Sequence, residues 1–137
     1  DYPITVRTGH SVSEVIISPN DIHYTGIEDP DVAVVLAKDG LAQVARKLKK
    51  CSPQARIYVD EGLADAVQTT GQIIRLPLVE TAKRVGKLAI APIAFGAVLA
   101  REHLFPPEVF EAAARATQKP AVAEANIVGL RAGMQLV

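Results

Sequence analysis

Between Val32 and Val59 the chain carries a pattern that admits few folds. Val32 to Ala37 is an unbroken apolar run of the kind that forms a strand covered on both faces. Leu41, Val44, Ala45 and Leu48 then recur at helical spacing, with Asp39 placed to cap the start. Arg46, Lys47, Lys49 and Lys50 gather in the last turn, where the helix dipole favours cations. Ser52-Pro53 stops the helix, and Ile57 to Val59 follows as a second short strand. Two strands joined by a helix of this size make a right-handed parallel crossover, so the pattern predicts a parallel sheet with Val32 to Ala37 at its centre.

Composition agrees with a layered α/β domain. Hydrophobic residues make up 49% of the 137 but aromatics only 4%, so the core is filled by Ala, Val, Ile and Leu, as in short buried strands covered by small-residue helices. The length suits one domain over residues 1–137. Fifteen acidic and fifteen basic side chains cancel, so no global field draws the chain to nucleic acid or anionic lipid, and neither is an expected partner. The one cysteine, Cys51, has no internal disulfide partner and falls far short of the thiolates that an iron–sulfur cluster or structural zinc needs. A reduced, cytoplasmic setting is the expectation, with no membrane-spanning run and no signal peptide. The chain opens at Asp1 rather than Met, which reads as a piece of a longer polypeptide with an N-terminal segment missing.

Ahead of the crossover, Ile4 to Arg7 and Val12 to Ile17 read as strands flanking the polar loop Thr8 to Ser11. Beyond it, Gln72 to Leu76 is a further strand, and Leu78 to Val85 a helix with Gly86 placed for a left-handed C-cap. Pro92 to about Leu104 is a helix apolar almost all round, in which Gly96 allows close packing. Pro106-Pro107 starts another helix with Val109, Phe110 and Ala113 inward, and Lys119-Pro120 introduces a last one through Met134. The domain is expected to associate with itself or a partner through the Pro92 to Leu104 helix, on a flank near Val98, or through the C-terminal helices, with Phe110, Ile127 and Leu130 the alternative contact. No internal repeat is present.

Candidate chemistry is sparse. No Gly-rich phosphate loop of the Walker or dinucleotide type occurs, which argues against nucleotide binding by these residues alone. The densest polar cluster is Arg7-Thr8-Gly9-His10-Ser11. Its guanidinium, imidazole and hydroxyls suit a carboxylate or phosphate, and equally suit a strand connection facing solvent or a subunit. His10 and Ser11 lack a nucleophile elbow, so no catalytic triad is read there. Ligands of a parallel sheet gather at the carboxyl ends of strands, which nominates Lys38, Asp39 and Gly40, and Asp60, Glu61 and Gly62; caps and turns account for the same residues. Cys51 is read as inert, His23 and His103 as surface residues, and Arg46 to Lys50 as a solvated helix end.

The order of these pieces resembles the gamma domain or subunit of the 2-oxoacid:ferredoxin (acceptor) oxidoreductases, of the pyruvate, 2-oxoglutarate and indolepyruvate types. Arg7, Gly9 and Ser11 match the family's Arg-x-Gly-x-Ser loop before a strand. Ile22-His23-Tyr24 matches an Ile-x-Tyr pattern, and Pro30-Asp31 followed by Val32-Ala33-Val34 a Pro-Asp ahead of a buried strand. Gly86, Pro92 to Gly96, Asn126 to Gly129 and Gly133 follow in the family's order. Two departures stand out: Ala91 where the family has Asn, and the missing Gly-rich first turn.

The resemblance implies a Rossmann-like three-layer α/β fold with a mostly parallel sheet. It also implies an assembly that decarboxylates a 2-oxoacid on thiamine diphosphate and passes electrons through iron–sulfur clusters to ferredoxin, commonly forming an acyl-coenzyme A. Both cofactors would sit on partner subunits or domains and none in this chain, which would be inactive alone and meet ferredoxin only through those partners. Arg7, Gly9, His10 and Ser11 are its tentative contacts to substrate or coenzyme A; no catalytic or metal residue is assigned. A homo- or hetero-oligomer follows. A stand-alone ligand-binding α/β domain and a homodimerisation module remain the alternatives.

Overall fold

A computed structural model describes residues 4–7, 10–22 and 26–137, with side chains considered from residue 12 onward. Strands β1 (Ile4–Arg7) and β2 (His10–Ser13) form an antiparallel pair in which Arg7 lies opposite His10 and Ile4 opposite Ser13. Strands β3 (Val32–Val35), β4 (Arg56–Asp60) and β5 (Gln72–Leu76) form a parallel sheet in the order β3-β4-β5. Helix α1 (Lys38–Lys50) makes the expected crossover from β3 to β4. Four helices follow: α2 (Leu78–Val85), α3 (Ile90–Glu102), α4 (Pro107–Thr117) and α5 (Pro120–Met134).

Side chains of a strand alternate between its faces, and β4 shows how this builds three layers. Ile57 and Val59 point to one side and pack with Leu41, Leu48 and Val35 under α1. Tyr58 points to the other and packs with Leu78, Ile93 and Ala97 of α2 and α3. All three are fully buried, so the three-layer α/β architecture expected from sequence is the one observed.

The central strand is β4, not β3. The apolar run at β3 reports that both faces carry apolar side chains: Ala33 and Val35 join one cluster and Val32 and Leu36 the other, while Val34 stays 42% exposed at the cleft. Face coverage carries no information about which edges are paired, and among the described residues β3 pairs only with β4. Three boundaries also differ. The β2 ladder ends at Ser13 because Ile4 is the last residue of β1 opposite it, although burial keeps alternating through residues 12–17. Helix α1 starts at Lys38 with Ala37 at the cap position and no side-chain cap, so Asp39 acts through the dipole of the first turn. Gly86 ends α2 with φ 155° and ψ 132°, a glycine region but an extended one rather than the left-handed helical cap.

Helix α3 is buried within the domain. Ile93, Ala94, Gly96, Ala97, Val98 and Leu99 are all covered, so the flank expected to face a partner at Val98 lies inside. Ile127 and Leu130 are buried as well, and the Phe110 ring packs 5.7 Å from that of Phe95. Those residues make the domain's own core rather than a contact with another chain. Val109 and Ala113, expected inward, are exposed, and Ala114 is the buried residue of α4. The closest approach is between α3 and α5. A methyl group at Gly96 would meet the carbonyl oxygen of Leu130, and one at Gly133 the carbonyl oxygen of Ile93. The two backbones touch.

Glycine to alanine in a helix normally gains about 0.5–1 kcal/mol. Gly40→Ala, in α1 with open space around the new methyl, should follow that rule. Gly133→Ala should reverse it and lose roughly 1–3 kcal/mol by overpacking. Urea unfolding of both variants checks the pair; equal effects would mean that the α3–α5 contact has slack.

Candidate functional site

A cleft of about 630 Å³ lies between β3, helix α1 and the segment 12–15 with Ile27 and Pro30. Consecutive residues Val32 to Ala37 all line it, and since neighbours on a strand face opposite ways, the cleft runs along the strand edge. Its walls are chiefly Val, Ile, Leu and Ala. The polar lining side chains are Ser13, Glu14 and Lys47, and Gly40 brings the first turn of α1 to its rim.

Glu14 organises the mouth of the cleft. One carboxylate oxygen accepts from Lys47 Nζ at 2.6 Å and the other from the Ile27 N–H at 2.9 Å, so a single carboxylate ties two parts of the N-terminal segment to α1. The Lys47 bond, with the Ile27 bond behind it, holds the Glu14 carboxyl below its ordinary range. The pair is neutral as a unit. Among the described residues the lining carries one hydroxyl and neither imidazole nor thiol, and its surface is mostly apolar.

The β1–β2 ladder brings the backbones of Arg7 and His10 opposite each other and Ser11 opposite Val6. Gly9, with Thr8, lies outside the described residues. Val12 and Ser13 of β2 line the cleft, so the hairpin is continuous with its wall, and His10 sits about 7 Å along the strand from Val12. The other nominated residues have structural work. Asp60 is buried, and its carboxylate accepts from the Gly62 N–H and from the Val79 N–H in the first turn of α2, each at 2.9 Å. It caps α2 from the end of β4 and occupies the place an anionic ligand would take. Lys38 and Asp39 are exposed.

The Cys51 thiol is buried, 3.1 Å from the Leu48 carbonyl oxygen and from Thr69 Oγ1, so the chain's one thiol is committed and its donor set does not fit an iron–sulfur cluster. His103 is exposed at the C-cap of α3 with φ 54°, and His23 lies outside the described residues. Among the described residues no three His, Cys, Asp or Glu side chains converge on a metal position.

Sequence reasoning missed a partly buried triad. Arg56 at the start of β4 donates to both carboxylate oxygens of Glu102 at the end of α3, through Nε at 3.1 Å and through its other guanidinium nitrogen. The Tyr58 hydroxyl donates to the same carboxylate at 2.5 Å. The Arg56 hydrogen bonds hold the Glu102 carboxyl below its ordinary range, against the opposing effect of burial. Burial, reinforced by Glu102, pushes the Tyr58 phenol well up. The available signal was a tyrosine in the middle of an otherwise apolar strand, since a buried hydroxyl needs a partner. None of the three lines the cleft, so the triad fastens β4 to α3 and takes no part in the site.

Because the Glu102 carboxyl titrates lower when folded than when unfolded, its contribution to stability is present above the unfolded value near pH 4.5 and fades as pH falls through the folded one. Glu102→Gln should lose on the order of 2 kcal/mol at neutral pH, because Arg56 then keeps a charge without its counter-ion. The variant should also lose less additional stability than wild type on acidification below pH 4.5; parallel stability curves would leave Glu102 without this role.

Comparison with known proteins was made on this geometry. A family model described as pyruvate ferredoxin/flavodoxin oxidoreductase matches residues 1–136. The 2-oxoglutarate synthase subunit KorC of Methanothermobacter thermautotrophicus is 25% identical over 142 residues, covering 99% of this chain and 75% of the relative. The crystal structure of the keto/oxoacid ferredoxin oxidoreductase gamma subunit from Geobacter sulfurreducens PCA is similar with a TM-score of 0.75 and 21% identity, covering 98% of this chain and 78% of that one. Pyruvate oxidoreductase subunit PORC from Thermotoga maritima is similar with a TM-score of 0.63 and 23% identity, covering 80% of this chain and 65% of that one. The chain thus spans about two thirds of the length of that solved subunit. At these identities the two solved structures speak to the fold.

Proposed function

Since the chain belongs to the pyruvate ferredoxin/flavodoxin oxidoreductase family, we propose that it is the gamma-type component of a multi-subunit 2-oxoacid:ferredoxin oxidoreductase. The observation that carries this reading is the family match along residues 1–136, in line with the relative named as a subunit of 2-oxoglutarate synthase. In this reading residues 1–137 are one gamma-type domain working in the cytoplasm. Thiamine diphosphate and the iron–sulfur clusters sit on partner chains, where the first activates the 2-oxoacid carbonyl and the second carry electrons to ferredoxin.

What this chain's own residues supply is shape. The cleft beside β3 offers an apolar wall about as large as a small-molecule pocket, closed at one end by the neutral Glu14–Lys47 pair. The β1–β2 pair next to it carries Arg7, His10 and Ser11, and these, with Gly9 between them in the sequence, we assign to the contact with the anionic substrate or with coenzyme A in the assembled enzyme. Arg7 would hold a carboxylate or phosphate by a charge-assisted fork, and Gly9 would let the backbone approach it.

The test is reconstitution. Partner subunits without this chain should lack 2-oxoacid-dependent reduction of ferredoxin, and adding it should restore turnover, while the chain by itself reduces nothing. Turnover by the chain alone, or full activity without it, would overturn the reading. In the assembled enzyme Arg7→Ala should raise the apparent KM at least about ten-fold at unchanged assembly, since a charge-assisted contact contributes about 1.5–3 kcal/mol. Unchanged kinetics would return the loop to a structural role.

A further inference from the structure

Helix α5 is charged at only two of its fifteen residues, Glu124 and Arg131. Its rear face, with Ala123, Ile127, Leu130 and Gly133, is buried against α3 and α4. The opposite face is apolar as well: Ala121, Val122, Ala125 and Val128 are exposed, Val128 by 51%. Leu88 borders it, for Ala89 and Pro92 reach Gly129 on the flank of α5, and Leu88 is 96% exposed. A helix apolar on both faces belongs between two packed layers, and here the second layer is open.

The charges identify what closes it. Glu124 and Arg131 lie seven residues apart, on the same side of the apolar strip and on either side of Val128. Each is already paired within the chain, Glu124 with Arg115 and Arg131 with Glu111, yet Glu124 keeps 59% and Arg131 61% of its side chain exposed. If α5 lies antiparallel on an identical α5 about a twofold axis beside Val128, midway between positions 127 and 128, position 124 of one helix falls opposite position 131 of the other. Each exposed end of one pair then meets the opposite sign of its mate, giving rows of alternating charge from Glu111 and Arg131 of one copy to Glu124 and Arg115 of the second. Alanines 121 and 125 keep the approach close. In a parallel pair the twofold would instead carry Glu124 and Arg131 of the two copies to opposite flanks of the strip, and no such rows would form. We propose that the outer face of α5 is the isologous interface of a homodimer, two copies of this chain packed antiparallel through Val128. This inference does not rest on the oxidoreductase reading.

Sedimentation equilibrium of the purified chain over a micromolar concentration series should give a dimer. Val128→Arg, at a half-exposed position that leaves the fold intact by circular dichroism, should raise the dimer dissociation constant at least about ten-fold, since it buries a like-charge pair on the axis. Val128→Cys should form an intermolecular disulfide under mild oxidation, because the axis brings the two positions together, whereas Val109→Cys on the outer side of α4 should not. A wild-type monomer at every concentration overturns the proposal. So does a dimer indifferent to Val128→Arg, or one in which Val128→Cys links no better than Val109→Cys. A monomer whose Val128→Arg variant no longer joins partner subunits would assign the face to one of them and equally overturn self-association.

Discussion

The contact on which the rest depends is the backbone-to-backbone crossing of α3 and α5. With Gly96 against Leu130 and Gly133 against Ile93, the two helices have no side-chain layer between them and form one slab. This is how a chain with 4% aromatics and an Ala-rich apolar set achieves close packing: it brings main chains together instead of filling the gap with rings. Everything on that side of the sheet is then fixed by the slab. Glu102, at the end of α3, is held where Arg56 and Tyr58 reach it, and α5 is held with its outer face away from the domain.

Strand β4 is the counterpart on the sheet side, and each of its five residues has a separate task. Ile57 and Val59 fill the layer under α1, and Tyr58 fills the layer under α3. The two charged ends fasten helices. Arg56 binds Glu102 at the C-terminus of α3, and Asp60 accepts from the Val79 N–H at the N-terminus of α2. Charge matching follows the helix dipole at both ends, an anion at the N-terminus of α2 and a cation at the C-terminus of α3, where the Glu102 carboxylate also accepts from the buried Tyr58 hydroxyl.

The strand–helix–strand unit was legible because strand apolarity, helical spacing and the Ser52-Pro53 stop all agree on one answer. Placing β3 at the centre failed for a physical reason: hydrophobicity records which faces are covered, and strand order is set by which edges pair. The all-apolar α3 was legible as a buried helix, and Gly96 as a point of close packing, but the sequence does not say whether the covering surface belongs to the same chain. It does, through α5, which moved the expected interface from Val98 to the core. The triad was illegible because Arg56 and Glu102 are far apart in sequence and each looks like an ordinary surface charge. Arg7, His10 and Ser11 were legible as a polar cluster, and the ladder places their backbones on one hairpin beside the cleft.

The described polar groups are largely occupied by structural partners. Asp60 caps α2, Glu102 binds Arg56 and Tyr58, Glu14 binds Lys47 and Ile27, and Cys51 is hydrogen-bonded within the core. The bonds from Lys47 and from Arg56 hold the Glu14 and Glu102 carboxyls below their ordinary range, which makes each a weaker base. Among the described residues the cleft beside β3 is lined by apolar side chains, Ser13 and the Glu14–Lys47 pair. The exposed strip of α5 is the reverse case: its apolar residues have no partner among the described residues, so the free energy still available there is that of burying them against another surface.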